Sequence, residues 1–185
     1  IRIHGILGQK SYFGDSVPVS IKMNLSDGLL VGTYKGLFKV DLKNLNFLPK
    51  PIFLEKTNGA PVFKLSTGKN DSVWIGAESG LFLIDKTGNI EPTPWISKIN
   101  SRRSIVLSSR NGFYWVGSYY GLYRKSENAK KINDKPTEFQ ISDGVNSIAE
   151  DHENGVWLGS NSEGLFYAKT IENDFLIIKK TNKDS

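Results

Sequence analysis

Val73-Trp74-Ile75-Gly76 is followed, after three intervening residues, by Gly80-Leu81-Phe82, and this phrase decides the fold because the 185-residue chain contains it four times. The other copies keep the two apolar runs and the two glycines: Leu29-Leu30-Val31-Gly32 with Gly36-Leu37-Phe38, Tyr114-Trp115-Val116-Gly117 with Gly121-Leu122-Tyr123, and Val156-Trp157-Leu158-Gly159 with Gly164-Leu165-Phe166. The first glycines of the copies are 44, 41 and 42 residues apart. This period is typical of one four-stranded blade of a β-propeller.

Each copy predicts a β-hairpin, because its runs are short, rich in Trp, Val, Ile and Phe, and separated by glycines that allow sharp bends. Three consecutive apolar residues, as in 73–75, predict a strand that is buried on both faces, as in stacked sheets. We therefore expect the indoles of Trp74, Trp115 and Trp157 to fill the gaps between adjacent blades. Leu30 takes this place in the first copy, where we expect thinner packing.

Two further strands are predicted in each unit. Segments of alternating character precede the hairpins and close on polar turns: Val19–Met23, Val62–Leu65, Ser104–Leu107 and Ser147–Glu150. Outer strands of looser composition follow the hairpins: Phe47–Leu54, Ile90–Ile96, Phe139–Ile141 and Phe175–Ile178. Prolines in the first two of these segments fit half-solvated edge strands.

The chain is thus predicted to be all-β, a single propeller segment over residues 1–185 with blades at about 17–56, 59–98, 100–142 and 144–180. The opening strand Ile1–Leu7 is surplus to four complete blades. We interpret residues 1–16 as the end of a preceding blade and its connection, so that the segment belongs to a larger ring. The alternative is a small ring closed by its own N-terminal strand.

Charge and cysteine content exclude several function classes. The net charge is +5, with lysines scattered through predicted loops and outer strands, which favours solvated surface over a nucleic-acid interface. The chain has no cysteine and therefore no disulfide or thiol nucleophile, which suits a periplasmic protein. No apolar run approaches the roughly 18 residues of a membrane span, so this segment is not predicted to insert into a membrane.

The quoted repeats resemble the two-component regulator propeller repeat over about residues 17–180. The fourth unit is the fullest match, from Asp143-Gly144 through Asn154-Gly155 and Val156-Trp157-Leu158-Gly159-Ser160 to Gly164-Leu165-Phe166. The first unit lacks the tryptophan, the second has Ala77 where Thr or Ser is usual, and the fourth carries one extra residue at 161–163. These departures alter loops more than sheets.

The resemblance implies the periplasmic or extracellular sensor region of a membrane-anchored bacterial hybrid or ordinary sensor histidine kinase that senses polysaccharide fragments. Its implied partners are an oligosaccharide or other small solute, further blades and the signalling domains of the same protein. No cofactor is implied. Exposed blade edges could also pair with a second copy of the chain to give a homodimer.

Ligand-binding candidates come from the turns between the second and third strands and from the connections between blades, which share one face of a propeller. They are Tyr34, Lys35, Glu78, Arg102, Arg103, Tyr119, Tyr120, Asn146, Asn161 and Glu163. Aromatic rings beside polar groups suit a sugar, and Arg102 and Arg103 could grip a sulfate or carboxylate in bidentate fashion. The plain alternative is that these are ordinary turn residues.

Catalytic and metal-binding patterns are weak. His4 and His152 have no partner at metal-ligand spacing, and Asp151 is explained by an Asx-type cap of its own turn. We therefore predict a non-catalytic binding and sensing module without metal. Two alternatives stay open: a scaffold for protein partners or dimerisation, and a propeller lyase or glycosidase that uses Glu78 and Glu163.

Overall fold

A computed structural model describes residues 18–24, 28–41, 52, 59–92, 103–128, 137–139, 141, 144–168 and 175–176. The regular elements of these ranges are β-strands: β1 Pro18–Asn24, β2 Gly28–Thr33, β3 Gly36–Asp41, β4 Val62–Thr67, β5 Val73–Ala77, β6 Gly80–Ile84, β7 Ile90–Pro92, β8 Ile105–Ser108, β9 Phe113–Ser118, β10 Gly121–Ser126, β11 Thr137–Phe139, β12 Val145–Glu150, β13 Val156–Ser160, β14 Leu165–Ala168 and β15 Phe175–Leu176. Within the same ranges no helix has the length and hydropathy that a membrane crossing requires.

The strands form four antiparallel sheets in which each strand pairs with its neighbour in sequence: β1 to β3, β4 to β7, β8 to β11, and β12 to β15. This arrangement confirms the all-β class and the hairpin in every unit. The predicted outer strand of the first unit lies outside the described residues except for Ile52, whose backbone N–H donates to the carbonyl of Leu37 at 2.8 Å. The predicted opening strand Ile1–Leu7 lies outside them as well.

The second glycine of each phrase has a positive φ where the third strand of its sheet begins: Gly36, Gly80, Gly121 and Gly164 have φ of 112°, 137°, 150° and 93°. The first three are the first residues of β3, β6 and β10, and Gly164 directly precedes β14. A hydroxyl closes the turn where the sequence provides one. Thr33 Oγ1 donates to the carbonyl of Gly36 at 3.0 Å, and Ser118 and Ser160 make the equivalent bonds to Gly121 and Gly164. Ala77 removes this bond from the second unit.

The first strands β1, β4, β8 and β12 contact one another in succession, so the sheets are stacked side by side around their innermost strands. Trp74 is 3% exposed and packs with Val106 and Val116 of the third sheet. Trp115 is 1% exposed and packs in the same way with residues of the fourth sheet. The prediction that the indoles fill the gaps between sheets is confirmed for Trp74 and Trp115, whereas Trp157 is half-buried and packs on Tyr167 of its own sheet.

Leu30 replaces the indole between the first and second sheets. It is completely buried and packs with Val62 and Ile75 of the second sheet, while the partly buried Ile52 contacts the same cluster. The smaller side chain is therefore fully enclosed, and the thinner packing expected here produces no solvent-exposed gap.

The first glycine of each of the first three phrases marks a close approach between sheets. A Cβ on Gly32 would lie 2.8 Å from Val62 Cγ1 of the next sheet, and one on Gly117 would lie 2.8 Å from Val145 Cβ. One on Gly76 would overlap the carbonyl oxygen of Ser104. Contacts this short are absent from real structures, so the sheets can stack only because these positions carry no side chain.

Asp151 organises the turn between β12 and β13. Its Oδ1 accepts bonds from the backbone N–H of Glu153 at 2.9 Å and of Gly155 at 2.8 Å, and its Oδ2 accepts one from the Trp157 indole at 2.9 Å. The indole bond, followed by the backbone bonds, holds the pKa of the Asp151 carboxyl below its usual value in spite of desolvation. The cap predicted for this turn is present, and it also anchors the tryptophan.

Asp151→Asn is expected to lower the melting temperature by several degrees near pH 7, because an amide provides one acceptor oxygen where the carboxylate provides two. A carboxyl with a depressed folded-state pKa stabilises the fold above its unfolded pKa of about 3.9 and loses this effect as it is protonated. The difference between variant and wild type should therefore shrink as the pH falls below about 4. Thermal melts between about pH 7 and pH 3 test this, with Glu138→Gln as an exposed-carboxylate control; a constant difference would contradict the assignment.

Candidate functional site

Three of the four innermost strands carry a β-bulge near their first residue. The register shifts between Pro18 and Ser20 in β1, between Val62 and Lys64 in β4, and between Val145 and Ser147 in β12. The residues within these shifts are Val19, Phe63 and Asn146. A bulge re-aims a side chain out of the regular alternation, and all three of these residues line one pocket.

The first strand of the third unit has no bulge. The pairing of β8 with β9 runs from Ile105 without a shift, and Arg103, just before this strand, has a φ of 55°. A positive φ is uncommon for a residue with a long side chain and is found preferentially where the surroundings hold it in place. Arg103, the residue with this conformation, also lines the pocket.

The pocket has a volume of about 280 Å³ and lies where the innermost strands meet the turns of one face. Eight residues from all four units line it: Val19, Phe63, Lys64, Arg103, Tyr119, Val145, Asn146 and Asn161. The charged side chains among them, Lys64 and Arg103, are both cationic. An apolar base with aromatic, amide and cationic groups is the usual composition of a small-molecule site.

Arg103 is fixed by contacts on several sides. Its guanidinium carbon lies 4.5 Å from the centroid of the Phe63 ring, and its Nε lies 3.4 Å from Glu78 Oε2. Its backbone N–H points to the carbonyl of Ala77 at 3.4 Å. Tyr34 packs edge-on against Phe63, with ring centroids 5.7 Å apart. Phe63 and Arg103, which line the pocket, are thus in contact with Tyr34 and Glu78, which do not.

Tyr119, Asn146 and Asn161 contribute the polar and aromatic lining from the third and fourth units. The Asn161 backbone N–H donates to the carbonyl of Gly144 at 3.0 Å, and Asn146 Nδ2 donates to Asn161 Oδ1. A Cβ on Gly144 would lie 3.1 Å from the carbonyl oxygen of Tyr119, so the third and fourth units touch here. Tyr119 is 54% exposed and forms an edge-on ring contact with Tyr120.

The predicted ligand residues fall into distinct groups. Arg103, Tyr119, Asn146 and Asn161 line the pocket, whereas Tyr34, Glu78 and Tyr120 contact lining residues. Lys35 and Glu163 lie in turns on the same face, outside the lining. Arg102 lies outside the described residues. The arrangement brings most of the candidates together, but whether they bind a ligand stays a prediction.

Sequence reasoning missed Val19, Phe63, Lys64 and Val145. Their strands were recognised, but consecutive residues such as Phe63 and Lys64 reach one pocket only because a bulge interrupts the alternation. The available signal was spacing, since the interval between first glycines is 41 residues into the third unit, against 44 into the second and 42 into the fourth. In the described ranges no group of three or more histidine, aspartate or glutamate side chains is placed to hold a metal ion.

Stacked antiparallel meanders, three of them four-stranded in the described residues, define a β-propeller segment, and comparisons with known proteins agree with this architecture. Residues 140–162 match the family model described as two component regulator propeller. This match falls on the fourth unit. Comparison with curated proteins gave no match.

Solved structures show the same fold. The extracellular domain of a protein assigned as a one component system from B. thetaiotaomicron aligns with a TM-score of 0.71 and 16% identity over 91% of this chain and 23% of that chain. The extracellular domain of a protein assigned as a hybrid two component system from the same organism gives a TM-score of 0.64 and 19% identity over 88% and 22%. The chain thus spans about a quarter of these sensor-type domains.

An enzyme shares the fold as well. Catalytically inactive virginiamycin B lyase from Staphylococcus aureus, solved with quinupristin, aligns with a TM-score of 0.70 and 15% identity over 95% of this chain and 59% of that chain. At these identities the likenesses establish the architecture alone. The choice between sensing and catalysis must come from the site.

Proposed function

We propose that this chain is the ligand-binding part of a two-component sensor, located on the periplasmic or extracellular side of a bacterial membrane and coupled to a histidine kinase. The repeat in residues 140–162 and the likeness to extracellular domains of sensor proteins support this assignment. The blades at about 17–56, 59–98, 100–142 and 144–180 act in this proposal as one rigid propeller segment. Ligand binding reorients the domains attached to it.

One observation carries the proposal: Arg103 is stacked on Phe63 at the mouth of a pocket that Tyr119, Asn146 and Asn161 also line. Aromatic rings offer a face for the C–H groups of a sugar, and the amides match its hydroxyls. The volume of about 280 Å³ lies near the lower end of ligand pockets. It suits a small solute or one sugar unit of a longer glycan.

The charges favour an anionic ligand. A guanidinium binds carboxylate and sulfate groups through two parallel hydrogen bonds, and Lys64 adds a second positive charge. Glu78 already pairs with Arg103 at 3.4 Å, so it orients the guanidinium and competes with weakly bound anions. We therefore assign the site to an acidic glycan fragment or a related solute.

Catalysis has no comparable support in the described residues. A lyase or glycosidase needs an acid and a base that converge on the substrate. Of the two carboxylates considered for this role, Glu78 is paired with Arg103 and Glu163 lies outside the pocket lining. The segment acts in this proposal by binding alone.

Arg103→Ala is expected to weaken binding of an acidic disaccharide at least about tenfold, because a charge-assisted hydrogen bond contributes about 1.5–3 kcal/mol. Isothermal titration with a panel of uronic-acid and sulfated disaccharides, with neutral disaccharides alongside, provides the measurement. Arg110→Ala is the matched control. Arg110→Ala removes the same charge from the turn at the other end of β8, where Arg110 pairs with Glu150 at 3.2 Å.

Equal affinity of wild type and Arg103→Ala for a disaccharide that does bind would reject this pocket as the site. Absence of binding across the whole panel would reject the glycan assignment and favour the scaffold alternative. Equal weakening by Arg110→Ala would show a general charge effect instead of a contact in the pocket.

A further inference from the structure

The turn between the second and third strands is closed by a hydroxyl in the first, third and fourth units. In each of them the hydroxyl donates to the carbonyl of the second glycine and also accepts a backbone N–H from the turn. This N–H belongs to Lys35 at 3.0 Å, to Tyr120 at 3.1 Å and to Glu163 at 2.9 Å. A single hydroxyl thus gives each of these turns two hydrogen bonds.

The turn of the second unit, residues 77–80, lacks both bonds because Ala77 stands at the hydroxyl position. Three contacts connect it to the segments that join the sheets. The Glu78 N–H donates to the carbonyl of Pro61 at 2.8 Å, and the Ala77 carbonyl accepts the Arg103 N–H at 3.4 Å. The Glu78 carboxylate pairs with the Arg103 guanidinium, also at 3.4 Å. Two of these three contacts involve Arg103, so the turn depends on a residue that lines the pocket.

The contact between Glu78 and Arg103 can be exchanged for another anion. Its length of 3.4 Å exceeds the usual N–H···O distance of about 2.9 Å. The side chains are 22% and 49% exposed, and ion pairs with this much access to water contribute little to stability. Phe63 contacts the guanidinium without Glu78, with its ring centroid 4.5 Å from the guanidinium carbon. Loss of the pair would therefore leave Arg103 stacked at the pocket.

We propose that Glu78 is a resident counter-ion of Arg103 that an anionic ligand replaces when it binds. This inference rests on the proposed function of the pocket. Replacement of a carboxylate by another anion keeps the guanidinium paired, whereas a neutral solute that displaced Glu78 would leave both charges without their partner. Glu78 is therefore a specificity-determining residue that selects against neutral solutes. Ala77 assists the exchange, because no hydroxyl holds the turn that carries Glu78.

Glu78→Gln tests the counter-ion, since glutamine has the same length and can accept a hydrogen bond but carries no charge. We expect inorganic sulfate to bind this variant at least about fivefold more tightly than wild type, because no carboxylate has to be displaced. The measurement is the NMR shift of the Arg103 Nε–H resonance during a sulfate titration at constant ionic strength. Glu163→Gln is the matched control, since it removes the same charge from the corresponding turn of the fourth unit, outside the pocket lining. Its affinity should stay within about twofold of wild type.

Ala77→Ser tests the turn. Thr33 and Ser118 are completely buried at this position, as Ala77 is, so a serine hydroxyl fits the site. The restored bonds should hold the turn and Glu78 in place, and sulfate binding should weaken at least about threefold. This effect should vanish in the double variant Glu78→Gln/Ala77→Ser, because the hydroxyl acts through the carboxylate. An equal effect in the double variant would overturn the role assigned to Ala77.

The same titrations distinguish failure of this proposal from failure of the pocket assignment. Equal sulfate affinities of wild type and Glu78→Gln would overturn the counter-ion role and leave Arg103 as an anion site. Weaker binding by Glu78→Gln would overturn it too, because Glu78 would then serve to position the guanidinium. If Glu163→Gln strengthened binding equally, the effect would be one of general charge. Absence of any shift at Arg103 in all variants would overturn both the counter-ion and the anion site.

Discussion

Gly76→Ala is expected to lower the free energy of unfolding by about 3 kcal/mol or more, because overpacking against backbone leaves the structure no cheap way to relax. The added methyl would overlap the carbonyl oxygen of Ser104 and lie 2.9 Å from the carbonyl carbon of that residue. Both atoms belong to the backbone that leads into β8. The second and third sheets would have to separate, and the packing of Trp74 against Val106 would loosen with them.

Gly159→Ala provides a matched control at the same position of the repeat. The atom nearest to its added Cβ is the hydroxyl oxygen of Ser147, which can rotate away, and the next is Ser147 Cβ at 3.7 Å. We expect a loss below about 1 kcal/mol in the 185-residue chain. Urea unfolding of both variants gives the comparison, and equal losses would show that close approach between sheets is not the reason for the glycine.

The architecture could be predicted from the sequence because its determinants are local and repeated. The run Val73–Ile75 specifies a strand buried on both faces, and the glycine at 80 specifies the bend at the turn. Four copies at nearly constant spacing then require stacked units, since each hairpin needs a neighbour to cover its apolar face. The tryptophan contacts followed from the same argument.

The lining of the pocket could be predicted only in part. Turn residues such as Tyr119 and Asn161 were identified because the topology places the turns of successive blades on one face. Phe63 and Lys64 escaped because their orientation depends on a bulge, and a bulge is a property of the pairing between two strands. The left-handed conformation of Arg103, with a φ of 55°, was likewise not predicted, because residue type does not reveal it.

The pairing between Glu78 and Arg103 shows why proximity on one face is not enough to define roles. Both residues were predicted as ligand contacts, yet their 3.4 Å separation makes them partners of each other. Lys35 lies on the same face, but its backbone N–H is bonded to Thr33 Oγ1 at 3.0 Å within its own turn. Residue types and topology were enough to predict which face carries the candidates. The distances between side chains are needed to tell which of these candidates line the pocket.

Trp115→Ala is expected to cost about 3–5 kcal/mol, the usual range for removal of a large buried aromatic side chain. Trp115 is 1% exposed, its ring is stacked on Phe139 at 5.6 Å, and it belongs to the cluster that joins the third and fourth sheets through Val145 and Leu158. The cavity would lie between the third and fourth sheets. No strand of one pairs with a strand of the other, so side-chain packing holds them together here. Such sheets can close the gap only by tilting, which would disturb the contact between Gly117 and Val145.

Trp157→Ala is the matched control for Trp115→Ala, since Trp157 has the same position in the repeat but is only half-buried. We expect a loss of about 2 kcal/mol or less, because less apolar surface is returned to water and no closed cavity forms. Denaturant unfolding followed by far-ultraviolet circular dichroism avoids the change in tryptophan fluorescence that both variants introduce. If the two losses were equal, burial by the following sheet would contribute little, and the stability of the propeller segment would have to come from within each sheet.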